Sequence, residues 1–509
     1  MTTTSMNLPS ILVNKSQDEA SDITMISDVL EPSQSSQTTA RFVIPYKASV
    51  LDNLSSLVFR TEFKGYDESA KTTEGVVFKD ACGSLPAVKR ARMYIGQKLI
   101  MNQEHCGTKM YIDKRFEEAD AMTEVYDSRF GSQNDYFLRN DSDFSNQEFS
   151  VGQFELGRDC PAKATNFSTT NKRFTRKLGS GADGWETQLF LDELFTGLKD
   201  LSIPMMLKEQ LSIEVDWETS FDKLMYDISP TGSRIPASRK LVEISNVRLL
   251  TDYIGYDQAT HSALESQVLG QGIILPFRDT IVIERTLNAT TSTTPVQEDI
   301  PLSLNSKAVM KVVVQKLVNC GSTRALGVGK TEFCGDCRSD ALPNESYNLL
   351  VNDLLIYDQP VDTRTQMYNQ LSQVGEKPFY AFPDSLEYRD PAVAVSTNDV
   401  LSNSKVVAGY TFNKSTINTA DAEIGSSVSS GQAGSSSFLG ISLGKYGKNS
   451  GDTLVDASYR VGSSPVILRY SRSGGANTTF EGKPVKVNLF VDILKVLDLN
   501  AGFSDVRDQ

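Results

Sequence analysis

Apolar and polar residues alternate along several short segments of this 509-residue chain. The clearest segment runs from Val485 to Leu494, where apolar residues share one face while Lys486, Asn488 and Asp492 lie on the other. Because successive side chains of a β-strand point to opposite faces, this pattern predicts a half-buried strand. Three further segments alternate in a similar way: 211–217, 247–254 and 310–318.

The second half of the chain repeats features of the first half. Residues 96–111 resemble residues 352–368, with Leu, Ile, Gln, Thr, Met and Tyr at matching positions and Leu99 aligned with Leu355. Two further matches bracket this one in the same order, namely residues 44–47 with 275–278 and residues 247–254 with 487–494. The spacing between matches changes because loops vary more than core elements. The repeat therefore predicts two copies of one domain.

The predicted fold class is all-β, with two tandem eight-stranded jelly rolls and short inserted helices. Short strands separated by Gly- and Ser-rich turns favour this architecture. Helical spacing of apolar residues occurs at 109–122, 257–268 and 363–374. The predicted divisions are an N-terminal arm (1–39), a first jelly roll (40–255), a connecting segment (256–270), a second jelly roll (271–498) and a C-terminal tail (499–509).

Composition limits the kinds of molecule that the chain is expected to bind. The net charge of −13, from 51 basic and 64 acidic residues, argues against the basic face that phosphate binding requires. We therefore expect no direct sequence-specific binding of nucleic acid. No apolar stretch reaches the roughly eighteen residues of a transmembrane segment, and residues 1–5 lack the features of a signal peptide. Six scattered cysteines indicate synthesis in a reducing compartment.

Motifs that carry chemistry are weak in this chain. Residues 326–331 include Gly-Lys-Thr, but Arg324 stands where a phosphate-binding loop requires its first glycine. Cys320, Cys334 and Cys337 have a spacing that zinc can use, yet a closed site requires a fourth ligand from elsewhere in the fold. These three cysteines are weak metal candidates, and free thiols in a loop are the favoured alternative. We predict no catalytic residue and no cofactor.

Two segments resemble a known family. Residues 189–195 read Leu-Phe-Leu-Asp-Glu-Leu-Phe, and they are followed by Ile203-Pro204 and by a strand that begins Leu-Ser-Ile-Glu at Leu211. This order resembles the major capsid proteins of polinton-like viruses and virophages. Residues 483–494 are similar to the closing strand of that family's second domain. Together with the duplicated halves, the resemblance covers about residues 40–498.

The resemblance implies a double jelly-roll major capsid protein that forms homotrimeric, pseudo-hexagonal capsomers and tiles an icosahedral shell. It implies a location in the virion, assembly inside the host cell, and contacts with neighbouring capsomers and with penton and minor or cement proteins. It also implies that the protein is not an enzyme. The alternative is a glycan-binding or glycan-processing protein built on paired jelly rolls, which would need a concave site with clustered Trp, Tyr and carboxylates. The chain has only two tryptophans, Trp185 and Trp217, and both fit a structural role.

Overall fold

The chain forms two β-sandwiches joined by a helical segment. The computed structural model describes the following residues: 24–47, 49–52, 54–63, 76–78, 84–116, 185–199, 202–220, 224–227, 242–318, 339, 342, 344–351, 354–374, 406–407, 410–411, 438–443, 459–462, 465–473, 484–500 and 503–508.

Among the described residues, thirteen strands precede the connecting segment. They are β1 (Thr24–Leu30), β2 (Gln34–Ser35), β3 (Thr39–Ile44), β4 (Val50–Leu51), β5 (Ser56–Phe63), β6 (Val76–Phe78), β7 (Val88–Ile95), β8 (Lys98–Glu104), β9 (Trp185–Phe190), β10 (Ile203–Pro204), β11 (Leu211–Trp217), β12 (Met225–Asp227) and β13 (Val242–Gly255).

Twelve further strands follow the connecting segment in the part of the chain that the structure describes. They are β14 (Ile273–Leu287), β15 (Val296–Leu302), β16 (Ala308–Val318), β17 (Ser346–Val351), β18 (Leu354–Leu355), β19 (Val406–Val407), β20 (Tyr410–Thr411), β21 (Leu439–Ser442), β22 (Tyr459–Arg460), β23 (Val466–Arg472), β24 (Val485–Asn500) and β25 (Phe503–Asp508).

Helices are short and lie between strands. The α-helices are α1 (Cys106–Phe116), α2 (Leu191–Leu194), α3 (Gln258–Ser266) and α4 (Arg364–Val374). A π-helical turn, Gln267–Gln271, extends α3, and 3-10 turns span Leu85–Ala87 and Thr196–Lys199. The Asp257 side chain caps the start of α3 by accepting a hydrogen bond from the Thr260 backbone N–H.

Each half contains two facing antiparallel sheets of four main strands. In the first half the sheets run β1-β13-β5-β9 and β3-β11-β7-β8. In the second half they run β14-β24-β16-β21 and β15-β23-β17-β18. Lettered B to I in chain order, the eight main strands of each half form sheets B-I-D-G and C-H-E-F. This is jelly-roll connectivity, and it confirms the prediction of two tandem eight-stranded jelly rolls.

Each jelly roll has its own apolar core. The first core includes Phe42, Leu57 and Ile213, all at 0% exposure. The second core includes Val312, Leu468 and Leu489, which are also fully buried. The end of the second jelly roll joins the first core, because Leu497 and Leu499 of β24 pack within it.

The structure places more of both chain ends in the sheets than the sequence pattern indicated. Strand β1 lies within the predicted arm (1–39), yet it pairs along its whole length with β13. Strand β25 lies within the predicted tail (499–509) and pairs with β24. The pairing uses main-chain N–H and C=O groups, so it does not require an alternating apolar pattern. Met25 and Val29 are in fact 57% and 60% exposed.

Candidate functional site

The two jelly rolls meet on the outer face of the sheet that contains β14 and β24. Leu489, Val491 and Ile493 of β24 point into the second core. Residues between them therefore point outward, because side chains alternate along a strand. Even so, Phe490 and Asp492 are each only 1% exposed. The first jelly roll covers this outer face with α1, β8 and the turn Thr196–Lys199.

An apolar cluster forms one part of this junction. Tyr111 and Ile112 of α1 pack in the same cluster as Phe490 of β24 and Val313 of β16. Leu371 and Val374 of α4 complete it, so helices from both jelly rolls lie on one sheet face. The ring centroids of Tyr111 and Phe438 are 6.2 Å apart. Burial of this apolar area favours contact between the jelly rolls.

A glycine allows the closest approach between the two jelly rolls. A Cβ atom placed on Gly197 would lie 2.7 Å from Cδ2 of Phe277 and 2.8 Å from the carbonyl oxygen of Arg278. Cβ of any other residue would therefore overlap with β14. Gly197 lets the turn Thr196–Lys199 pack directly on that strand.

Buried charges lie beside the apolar cluster. On α1, the Lys109 ammonium is 2.6 Å from Oδ1 of Asp113, one helical turn away. Lys199 Nζ, from the neighbouring turn, lies 3.8 Å from Oδ2 of Asp113. The side chain of Lys109 is only 4% exposed. A buried ammonium is costly unless a counter-charge is close, so Asp113 stabilises this arrangement.

Asp492 connects these charges to the second jelly roll. Its Oδ1 atom accepts a hydrogen bond from Oγ1 of Thr280 at 2.7 Å and lies 3.8 Å from Nζ of Lys109. Its Oδ2 atom is 3.3 Å from Nζ of Lys311 on β16. One carboxylate therefore faces a lysine from each jelly roll and forms an ionic link across the junction.

The surrounding lysines keep both carboxylates ionised. Burial alone would raise the pKa of Asp113, but the charges of Lys109, Lys199 and Lys311 outweigh burial and hold that pKa well below its usual range. Burial likewise opposes ionisation of Asp492, yet Lys109 and Lys311 lower its pKa. Both carboxylates are therefore held in the charged form that pairs with the lysines.

A second ionic contact crosses the junction at its edge. Nε2 of His105 contacts Oε1 of Glu284 on β14, and Nζ of Lys486 lies 3.0 Å from the same oxygen. The hydrogen bond from His105, followed by the contact with Lys486, lowers the pKa of Glu284 from 4.5 to about 2 although partial burial opposes this shift. The His105 ring also packs edge-on against Phe490, with centroids 6.4 Å apart.

The C-terminal hairpin of β24 and β25 forms a third contact with the first jelly roll. Glu209 accepts hydrogen bonds from N and Oγ of Ser504, each at 3.2 Å. Lys98 Nζ donates to the carbonyl oxygen of Ser504. Gly96, with φ of 60°, lies against Glu209, and a Cβ there would be 2.8 Å from Oε1 of Glu209. The hairpin therefore ties the chain end to the turn between β7 and β8.

Other residues that the sequence singles out either lie outside the described part of the chain or belong to the core of the first jelly roll. Cys320, Cys334 and Cys337 lie outside the described residues, as do residues 326–331. Trp185 and Trp217 are each only 4% exposed, and the Trp217 ring packs on Phe59 with centroids 4.9 Å apart. They are core residues and provide no exposed platform for a sugar. None of the helices described is long and apolar enough to cross a membrane.

The sequence did not reveal the charged junction residues as a group. The sequence pattern predicts only that Asp492 lies on the polar face of a strand and that Lys109 and Asp113 belong to a helix. One signal was available, because the matched closing strands both carry aspartate, Asp252 in one and Asp492 in the other. An aspartate that recurs at equivalent strand positions indicates a role shared by both halves.

The fold is similar to that of solved virus structures. PBCV-1 VP54 fitted into a cryo-EM reconstruction of the virophage Sputnik is 9% identical, covers 97% of this chain and 99% of its own, and has a TM-score of 0.54. The PBCV-1 capsid model is 10% identical, with coverages of 97% and 99% and a TM-score of 0.52. The Faustovirus major capsid protein is 10% identical, with coverages of 95% and 91% and a TM-score of 0.52.

No protein-family model and no curated protein matches the sequence. The chain nevertheless has the double jelly-roll fold of these viral capsid proteins over nearly its full length. The family resemblance seen in residues 189–217 and 483–494 is therefore confirmed at the level of fold.

We predict that Asp492→Asn destabilises the folded chain by about 3–5 kcal/mol, because Lys109 and Lys311 lose the buried counter-charge that they share. Chemical denaturation monitored by tryptophan fluorescence measures the loss. The control is Asp498→Asn on the same strand, since Asp498 pairs with the exposed Arg507 and such surface pairs contribute up to about 1 kcal/mol. Equal losses in both variants would contradict the assigned role of Asp492.

We also predict a pH dependence that arises from Glu284. Its pKa is lowered from 4.5 to about 2 in the folded chain, so it stabilises the fold above pH 4.5, and this contribution is lost as the pH falls towards 2. Glu284→Gln should make the melting temperature fall less steeply across that interval. The control is Glu186→Gln, which removes an exposed carboxylate from β9. An unchanged acid profile in Glu284→Gln would be inconsistent with this assignment.

Proposed function

We propose that this protein is a viral major capsid protein whose function is self-assembly. The observation that carries the proposal is the pairing of two jelly rolls, equivalent strand for strand, through a buried junction of apolar and charged residues. A rigid pair of similar modules suits tiling. The similar structures support the proposal, because they include a virus capsid and a major capsid protein.

The duplication provides a geometric route to a capsomer. Three copies related by a threefold axis would place six similar jelly rolls in a ring, which gives a pseudo-hexagonal block from one polypeptide. Such blocks can tile the flat facets of an icosahedral shell. We expect interfaces of obligate size between copies, above about 2,000 Å². Neighbouring capsomers, penton proteins and minor or cement proteins are the proposed partners, and the virion is the proposed location.

The domain division follows from the same proposal. The first jelly roll would end near residue 255 and the second would begin near residue 271, with α3 and its π-helical extension between them. Strand β1 would belong to the first jelly roll, because it pairs with β13. Strand β25 would belong to the second jelly roll and support its contact with the first.

Purified protein is expected to form a particle of three chains. Native mass spectrometry should give three times the 56.0 kDa chain mass, and negative-stain electron microscopy should show six lobes in projection. Glycan-array screening tests the alternative, a glycan-binding or glycan-processing protein. A protein that stays monomeric at high concentration, or that binds glycans specifically as a monomer, would contradict the capsid role.

Assembly of these particles into larger shells should depend on salt. Each chain carries a net charge of −13, so the particles repel one another at low ionic strength and salt screens this repulsion. Light scattering should therefore show a greater yield of large assemblies when NaCl or a divalent cation is added. A yield that is independent of both additions would rule out charge repulsion as the control on assembly.

A further inference from the structure

The two jelly rolls present the same outer face in two different states. Strand β1 pairs with β13 as β14 pairs with β24, so the outward positions of one pair correspond to those of the other. In the first jelly roll they are Met25, Ser27, Val29, Leu250, Asp252 and Ile254. In the second they are Arg278, Thr280, Val282, Phe490, Asp492 and Leu494. We call these sets the first and second outer faces.

The chemistry of the two outer faces agrees closely. Ser27 donates a hydrogen bond to Oδ1 of Asp252, just as Thr280 donates to Oδ1 of Asp492. Val29 of the first outer face corresponds to Val282 of the second. Leu250 corresponds to Phe490, and Ile254 corresponds to Leu494. Only the Met25 position differs in class, since its counterpart is an arginine.

Exposure separates the two faces. The second outer face is covered by the first jelly roll of the same chain, which leaves Thr280 at 2% exposure and Phe490 and Asp492 at 1%. On the first outer face, Val29 and Met25 are more than half exposed, while Leu250 and Ile254 are half-buried. Apolar side chains that are buried in one copy of a motif and exposed in the other indicate a missing neighbour.

The charge on the first outer face is also incomplete. Asp492 has Lys109 of the other jelly roll within 3.8 Å and Lys311 within 3.3 Å. Among the described residues, no lysine or arginine lies within 4 Å of the Asp252 carboxylate, and Ser27 is its side-chain partner. Within the described ranges, the first outer face thus has the carboxylate but neither of the lysines that pair with its counterpart.

We propose that the first outer face is the docking site for the second jelly roll of another copy of this chain. This inference rests on the proposed function, and it identifies which surface closes the ring. The contact within the chain would be repeated between chains, so that each of the six jelly rolls covers the outer face of the next. Head-to-tail contacts of this kind form closed rings when the rotation permits.

Helix α4 provides the complementary surface. It follows β18 as α1 follows β8, and the sequence repeat aligns Lys109 with Gln366 and Ile112 with Asn369. Lys109 and Ile112 are among the α1 residues that contact the second jelly roll. Gln366 and Asn369 are exposed, whereas Met367 is buried in the second core and Leu371 in the apolar cluster of the junction. Side-chain amides can donate hydrogen bonds to the carboxylate of Asp252.

One substitution on the first jelly roll tests the docking face, and a matched substitution on the second jelly roll serves as its control. Val29→Lys places a charge in the proposed contact, and the control Val296→Lys places the same charge on another exposed valine, which is 40% exposed on β15. Lysine is well tolerated on exposed strands at sheet edges. Size-exclusion chromatography with light scattering should show that Val29→Lys raises the concentration needed for trimer formation by about tenfold or more. The control should behave like wild type.

A crosslinking measurement gives an independent reading if Val29→Lys fails to fold, as judged by circular dichroism. A photoreactive benzoylphenylalanine at position 29 should link, between chains, to residues 364–374 of the neighbouring copy. Links to residues 1–23 of the same chain, or to another region of the neighbour, would overturn the docking face. Equal trimer formation by a folded Val29→Lys and its control would do so too. A monomeric wild type would instead contradict the proposed capsid role.

Discussion

The whole arrangement depends on covering the outer face of β14 and β24. A strand with apolar residues on one side and polar residues on the other normally has a core side and a solvent side. In β24 both sides are buried, because the first jelly roll packs over Phe490 and Asp492. Burying a carboxylate there requires Lys109 and Lys311 as counter-charges. That requirement sets which elements of the first jelly roll can lie on the second.

The junction combines apolar area with charge pairing. Tyr111, Ile112 and Phe490 provide contact area, which favours association but is not directional. The pair that Lys109 of the first jelly roll forms with Asp492 of the second has a defined geometry, so it favours one relative position of the two jelly rolls. Gly197 permits the short distance that both kinds of contact need. A fixed relationship between two similar modules is what a repeating shell requires of its building block.

Duplication also explains why a single chain looks incomplete. When two equivalent modules lie side by side, the helix-bearing surface of the first covers the outer face of the second. The outer face of the first module and the helix-bearing surface of the second then remain uncovered. Val29 with Asp252 on the first jelly roll, and Gln366 with Asn369 on the second, occupy those uncovered positions. In the proposed capsomer, the contact between jelly rolls inside the chain would serve as a template for contacts between chains.

The alternating residues at 211–217 and 485–494 and the internal repeat were enough to predict an all-β chain of two jelly rolls, because strand periodicity and duplication are local properties of a sequence. They did not predict that β1 and β25 join the sheets, since main-chain pairing leaves no apolar pattern. Nor could they show that the polar side of β24 is buried. Only the tertiary structure brings Lys109 and Asp492 together from positions 383 residues apart (492 − 109), because burial and charge pairing depend on which surfaces meet in space.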